Sequence, residues 1–292
     1  MKTARLLEGL CIFIAAAGMV AATVGLFWSD GGQAFSFTTI HGAIAHQYGV
    51  GLYRFDTLLI GAGFKGQDAV ILFLGVPLLV LATVFGRTGS LRARLLQTGI
   101  LAYFLYVYAS MAFGAAYNSL FLLYVATFSA SLFALYLAFS FTMELHSGYA
   151  SRLPRLWPAV LLLVSGALTA FIWLIPLIVA LASGAPPTLL DSYTTMLTDA
   201  LDLGIIAPLA VVAGILILRG SPMGFRLAFP VLGLLVMLFP TIVSATLSQA
   251  RAGVAFTPGQ IVGPVAGFLI LGAFGVWVLV AFLLRLEQPS RR

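Results

Sequence analysis

A chain of 292 residues that is 61% hydrophobic and only 8% charged, with a mean hydropathy of +1.09, is excluded from the class of soluble domains. Its formal charge of +6 is carried by basic residues scattered singly between apolar runs, so no contiguous patch exists for nucleic acid. The one cysteine, Cys11, excludes an intramolecular disulfide.

Lys2 and Arg5 before LCIFIAAAGMVAATVG have the form of a signal peptide, but the run is long enough to cross a bilayer and reads as a retained first helix. Eight spans follow from the apolar runs, at 6–28, 69–85, 95–114, 119–143, 157–182, 196–218, 227–247 and 261–284. With the N-terminus in the cytoplasm, every basic residue except Arg54, Lys65 and Arg251 falls on the cytoplasmic side, and shifting the span count by one would scramble that bias. The expected fold is an all-α polytopic membrane protein of eight transmembrane helices. It forms one domain, 1–292, in the plasma membrane, with both termini cytoplasmic. The cytoplasmic connections are too short for a kinase, an ATPase or a nucleotide-binding domain.

The one long outer connection, 29–67, is expected to form a β-hairpin and a lid. AFSFTTI and AIAHQY alternate like strands around a glycine-containing turn. His41 and His46 lie there without a third metal ligand at sensible spacing, and no metal or other cofactor is expected. The end of this connection, GLYRFDTLLIGAGFKGQD at 51–68, concentrates Arg54, Asp56, Lys65 and Asp68. Asp68 precedes an apolar run, as a helix N-cap does.

Counting helix rise outward from the cytoplasmic arginines places Asp199 near the outer interface and Asp202 one turn deeper, where a carboxylate is costly unless it is partnered. Arg54 is the expected partner of Asp202 or Asp199, closing 51–68 over them, with Arg251 as the rival cation. The same count puts Tyr117 and Asn118 at the outer end of the third and fourth spans. Tyr103, Tyr106, Ser110, Gly114 and Tyr117 share one helical face, which Tyr124, Thr127 and Ser131 of the fourth span would meet. These side chains line an outward-facing polar pocket, or they join helices by hydrogen bonds.

Two further patterns stand out. Nine residues separate Asp68 from Pro77 and Asp199 from Pro208, on spans that run in the same direction, as in two four-helix halves related by an axis along the membrane normal. Gly263 and Gly267 have the spacing of a close-packing face, suited to a homo-oligomer or a partner subunit.

The segments GLYRFDTLLIGAGFKGQD, AYNSLFLLYVATFSASLFAL and LDLGIIAPLA resemble a family of uncharacterised bacterial multi-pass membrane proteins. The resemblance implies a bacterial inner-membrane location and supplies no activity and no catalytic residues. Three functions are open to such a chain. One is binding, sensing or transport of a small solute, ion or lipid headgroup at the outward pocket. Another is a structural role in a larger membrane complex. The third is an intramembrane enzyme on a lipid-linked substrate, with Asp199 and Asp202 as its carboxylate pair. No HExxH or serine–histidine arrangement supports the enzyme.

Overall fold

Among the described residues, apolar runs separated by glycine, serine and proline turns form the long helices α1 (Lys2–Phe27), α2 (Leu58–Gly86), α3 (Leu91–Gly114), α4 (Phe121–Ser140), α5 (Leu156–Ser183), α6 (Leu197–Leu218), α7 (Pro222–Arg251) and α8 (Pro258–Arg285). This computed structural model describes residues 2–144, 153–256 and 258–286. Among the described residues, α1 to α7 are each long and apolar enough to cross a membrane, and α8 adds the apolar stretch Leu269–Arg285. The chain is therefore a multi-pass membrane protein. Arginines cluster at one end of the bundle, and at the other the strands β1 (Phe35–Thr38) and β2 (Ile44–Gln47) pair antiparallel with Phe35 opposite Gln47. The hairpin expected within 29–67 from the alternation of AFSFTTI and AIAHQY is present.

The second span differs from its expected bounds. It begins at Leu58, eleven residues before Ala69, because the Thr57 hydroxyl caps it by accepting from the Ile60 N–H at 3.3 Å. Asp68 is therefore not an N-cap. It lies ten residues inside the helix, about 15 Å along its axis. Gly61, Gly63 and Gly66 read as loop residues, but they are helical, and they are glycines because neighbours pass close. A Cβ on Gly66 would strike the backbone of Ala245 in α7, and one on Gly61 would strike Tyr48. Gln249 of α7 donates to the Leu59 carbonyl at 2.9 Å and locks the same contact.

Helices α2 and α6 each carry one widened π turn, Ile71–Gly75 and Asp202–Ile206, just before Pro77 and Pro208. A proline inside a helix lacks the N–H and presses on the carbonyl four residues back, and the wider turn relieves that clash. The two helices are in register at a spacing of 131 positions, Asp68 to Asp199. The same spacing joins left-handed Gly89 (φ 74°) to Gly220 (φ 71°), and the N-cap residue Ser90 to Ser221. It also joins Ser110 to Thr241, each of which donates to the carbonyl four residues back.

Helix α1 lies on α2 and α4, and α3 on α2 and α4. Helix α5 lies on α6 and α8, and α7 on α6 and α8. Between these groups α3 crosses α7, α2 packs on α7, and α3 meets α6. One apolar core centres on Ile14, Leu101, Phe104 and Ile71, and the other on Leu161, Phe225, Phe229 and Phe282. At the arginine end, buried Arg226 of α7 donates to the Thr142 hydroxyl at 3.0 Å and lies over the Phe139 ring, tying α7 to the end of α4.

Candidate functional site

The loop that carries Arg54 delivers a tyrosine into the bundle. Asp30 accepts from the Gly51 N–H at 2.8 Å through Oδ1 and from Arg54 Nη1 at 2.8 Å through Oδ2. This clamp holds a short turn, Gly51–Tyr53, whose first residue has a φ of 63° that glycine adopts readily. The Gly51 and Gly32 N–H groups hold the Asp30 carboxyl below the usual carboxylate range. The expected contact between Arg54 and Asp199 or Asp202 is not made, because the nearer Asp30 takes the guanidinium at the surface. The stretch 51–57 is thus a bracket that positions Tyr53.

Tyr53 enters the core and its hydroxyl donates to Asp68 Oδ2 at 2.6 Å. Asp68 is 0% exposed, and its Oδ1 is buried without a hydrogen-bond partner. Gly25 of α1 makes the room: a Cβ there would overlap Asp68 Oδ2 and come within 2.8 Å of the Tyr53 hydroxyl oxygen. The hydroxyls of Tyr108 and Tyr124 are buried without partners, and the Tyr108 and Tyr124 rings lie 6.2 Å apart. Tyr103, also fully buried, shares a 3.0 Å hydrogen bond with Thr241 of α7. No ion pair to Asp68, Asp199 or Asp202 forms among the described residues.

Asp202 has different surroundings. Tyr106 donates to Oδ1 at 3.0 Å and Trp173 Nε1 of α5 donates to Oδ2 at 2.8 Å, so both carboxyl oxygens are engaged. Asp199, one turn nearer the hairpin end, is 4% exposed. The partner of Asp202 is thus a pair of neutral donors, in place of Arg54 or Arg251. Arg251 is exposed at the end of α7. The stripe on α3 divides, with Tyr103 bonded to α7 and Tyr106 to α6. Tyr117 is 78% exposed against Phe121, and Asn118 caps the turn into α4 by accepting from the Leu120 N–H at 3.0 Å.

Asp56 joins three connections at the hairpin end. Its Oδ1 accepts from the Ala116 N–H and the Tyr193 hydroxyl, both at 2.8 Å, so the α1–α2, α3–α4 and α5–α6 connections meet on one carboxyl. Gln47 reinforces this point: with its amide turned to suit its neighbours, its nitrogen donates to the Phe55 and Asp56 carbonyls at 2.8 and 2.9 Å. Burial pushes the Asp56 carboxyl from 3.8 up to about 6, against the lowering effect of the Ala116 N–H and the Tyr193 hydroxyl. The folded protein holds this proton more tightly than the unfolded chain does. The stabilisation is therefore fully present below about pH 4 and is lost as pH rises through about 6. Thermal unfolding in detergent should show a loss of about 3 kcal/mol from this group over that window. Asp56→Asn should flatten that part of the profile, and an unchanged slope in the variant would remove Asp56 from the account.

Two cavities are described, both at the arginine end. One, of about 500 Å³, lies between α2, α3, α7 and α8. The other, of about 70 Å³, lies beside the Glu8–Arg87 ion pair and Gln97. Among the described residues no group of three or more His, Cys, Asp and Glu side chains could hold a metal, and His46 Nδ1 instead shares a 2.8 Å hydrogen bond with Ser36. The Gly263 side of α8 falls outside the described side chains, and a Cβ on Gly267 would meet nothing within 4 Å. Gly272 instead packs tightly on Phe239 of α7.

No family model, no curated protein and no solved structure matches this chain. The chemistry of the residues themselves is therefore what bears on function. Tyr53 and Trp173, the donors to the two deep carboxyls, carry no sequence signal beyond an aromatic with a polar tip in an apolar setting.

Proposed function

We propose that this chain is an eight-span plasma-membrane protein, arginine end in the cytoplasm, that binds a monovalent cation at Asp68 and moves it through the N-terminal four-helix half. The observation that carries the reading is the Asp68 carboxyl itself. It is fully buried at membrane depth, bonded only through Oδ2 to Tyr53, its Oδ1 has no hydrogen-bond partner, and no ion pair to it forms among the described residues. A carboxyl in such a place is costly to keep for structure alone, and a proton or a small alkali cation completes it. Carboxyl and phenol oxygens are hard ligands, of the kind that alkali cations take.

The 131-position register of Asp, π turn, proline, left-handed glycine and serine N-cap supports a division into two parallel four-helix halves. The halves then differ in chemistry. Asp68 keeps an open oxygen, whereas Asp202, with both oxygens taken by Tyr106 and Trp173, serves as a fixed polar contact between α6, α3 and α5. That occupancy also argues against a general acid–base pair at Asp199 and Asp202.

Purified protein in liposomes carrying a pH-sensitive dye, with and without a sodium gradient, tests the reading. Wild-type protein should pass protons or sodium, and the two gradients tell the ions apart. Asp68→Asn should fall to the level of empty liposomes while Asp202→Asn retains flux. Equal flux from Asp68→Asn and wild type, or no flux of either ion from wild type, would overturn it.

A further inference from the structure

The larger cavity has a shape and a rim that bear on its occupant. Its lining runs from Ser90 and Arg92 at the arginine end, past Leu81 and Leu96, to Ile100 and Met237. Ser90 to Ile100 is ten residues of α3, about 15 Å, which is half of a hydrocarbon core of about 30 Å. Its volume of about 500 Å³ lies within the range of small-molecule pockets. Below the rim the wall is apolar, and it includes Gly233, which touches Gly99 where α3 crosses α7. Such a groove accepts a single extended hydrocarbon chain that enters from one leaflet and stops at the membrane midplane.

The rim supplies charge complementarity. Ser90, which lines the mouth, is the N-cap residue of α3, yet its hydroxyl makes no capping bond to the first-turn N–H groups. Arg92 stands in the same mouth, half-buried, held by the bond from its Nε to the Leu286 carbonyl at 2.6 Å. A helix N-terminus and a guanidinium directed at one place form an anion site, and the guanidinium fork suits phosphate. Basic pockets between membrane helices recognise anionic lipid headgroups in this way.

We propose that this groove is a binding site for one anionic phospholipid, with an acyl chain between Leu81 and Leu96 and the phosphate at Arg92 and the Ser90 end of α3. The site is separate from Asp68 and does not depend on the cation reading.

The test is native mass spectrometry of the full-length protein in detergent, titrated with phosphatidylglycerol and, separately, with phosphatidylethanolamine of the same chains. Wild-type protein should retain one phosphatidylglycerol in preference to phosphatidylethanolamine. Arg92→Gln should weaken that retention about fivefold, the effect of one basic residue near a membrane surface. Arg92→Lys should keep most of it, and Leu96→Trp should block the groove to both lipids. Because Asp68 is distant from the groove, flux through the protein can fail its own test while lipid retention succeeds. Equal phosphatidylglycerol retention by Arg92→Gln and wild type would overturn the proposal. So would the absence of headgroup preference in wild type, which is the signature of bulk annular lipid.

Discussion

Gly233→Ala should destabilise the protein by about 3 kcal/mol, whereas Gly99→Ala at the same helix crossing should cost about 1 kcal/mol. The two glycines face each other where α3 crosses α7, but they are not equivalent. A Cβ on Gly233 would overlap Gly99 Cα and lie 2.6 Å from the Gly99 carbonyl carbon. All of those atoms are backbone, so relief requires the helices to separate. A Cβ on Gly99 meets Gly233 Cα at 3.0 Å and the Phe229 carbonyl oxygen at 3.2 Å, which a shift of a few tenths of an ångström relieves. The crossing joins the N-terminal and C-terminal groups of helices, and small residues are what let membrane helices approach so closely. Thermal unfolding of both variants in one detergent checks the order, and equal losses would show that the contact is looser than described.

The second large effect is expected at Gly25. Gly25→Ala should cost about 3 kcal/mol and disrupt the Asp68 site, because the new methyl group occupies the place of Asp68 Oδ2. The carboxyl would have to rotate away, breaking the 2.6 Å bond from Tyr53 and leaving that buried hydroxyl unpaired. The diagnostic is non-additivity. In an Asp68→Ala background the methyl group meets no carboxyl and only the 2.8 Å approach to the Tyr53 hydroxyl remains, so the added cost of Gly25→Ala should fall. A cost that persists in full would mean that Gly25 is required by the packing of α1 and not by Asp68.

Much of the architecture was legible because the bilayer imposes simple rules. Length and hydropathy gave membrane-spanning helices, and alternation around His41 and Gly42 gave the hairpin. The nine-residue step from aspartate to proline pointed to matching helices, which turn out to share a π turn at the same place. The start of α2 was misplaced for a physical reason. Glycine in a membrane helix is as consistent with a close neighbour as with a turn, and only the position of α7 against Gly66 distinguishes the two.

The site was legible in its costly members and not in their partners. Asp202 is conspicuous because a carboxyl inside an apolar run is expensive wherever it points, whereas Asp68 read as a helix N-cap and its burial is visible only in the folded chain. At its depth Asp202 needs a partner, and charge alone favours Arg54 or Arg251. In the folded chain Arg54 goes to Asp30, and Asp202 is met by Trp173 and Tyr106. Hydropathy and helix rise are properties of the chain taken one element at a time, so the sequence by itself determined that apolar helices cross the membrane and that Asp202 lies at a depth where it needs a partner. Which donor meets which carboxyl depends on how helices rotate and cross. Those are settled by contacts between residues as distant as Trp173 and Asp202, or Gly25 and Asp68, and only the tertiary structure brings them together.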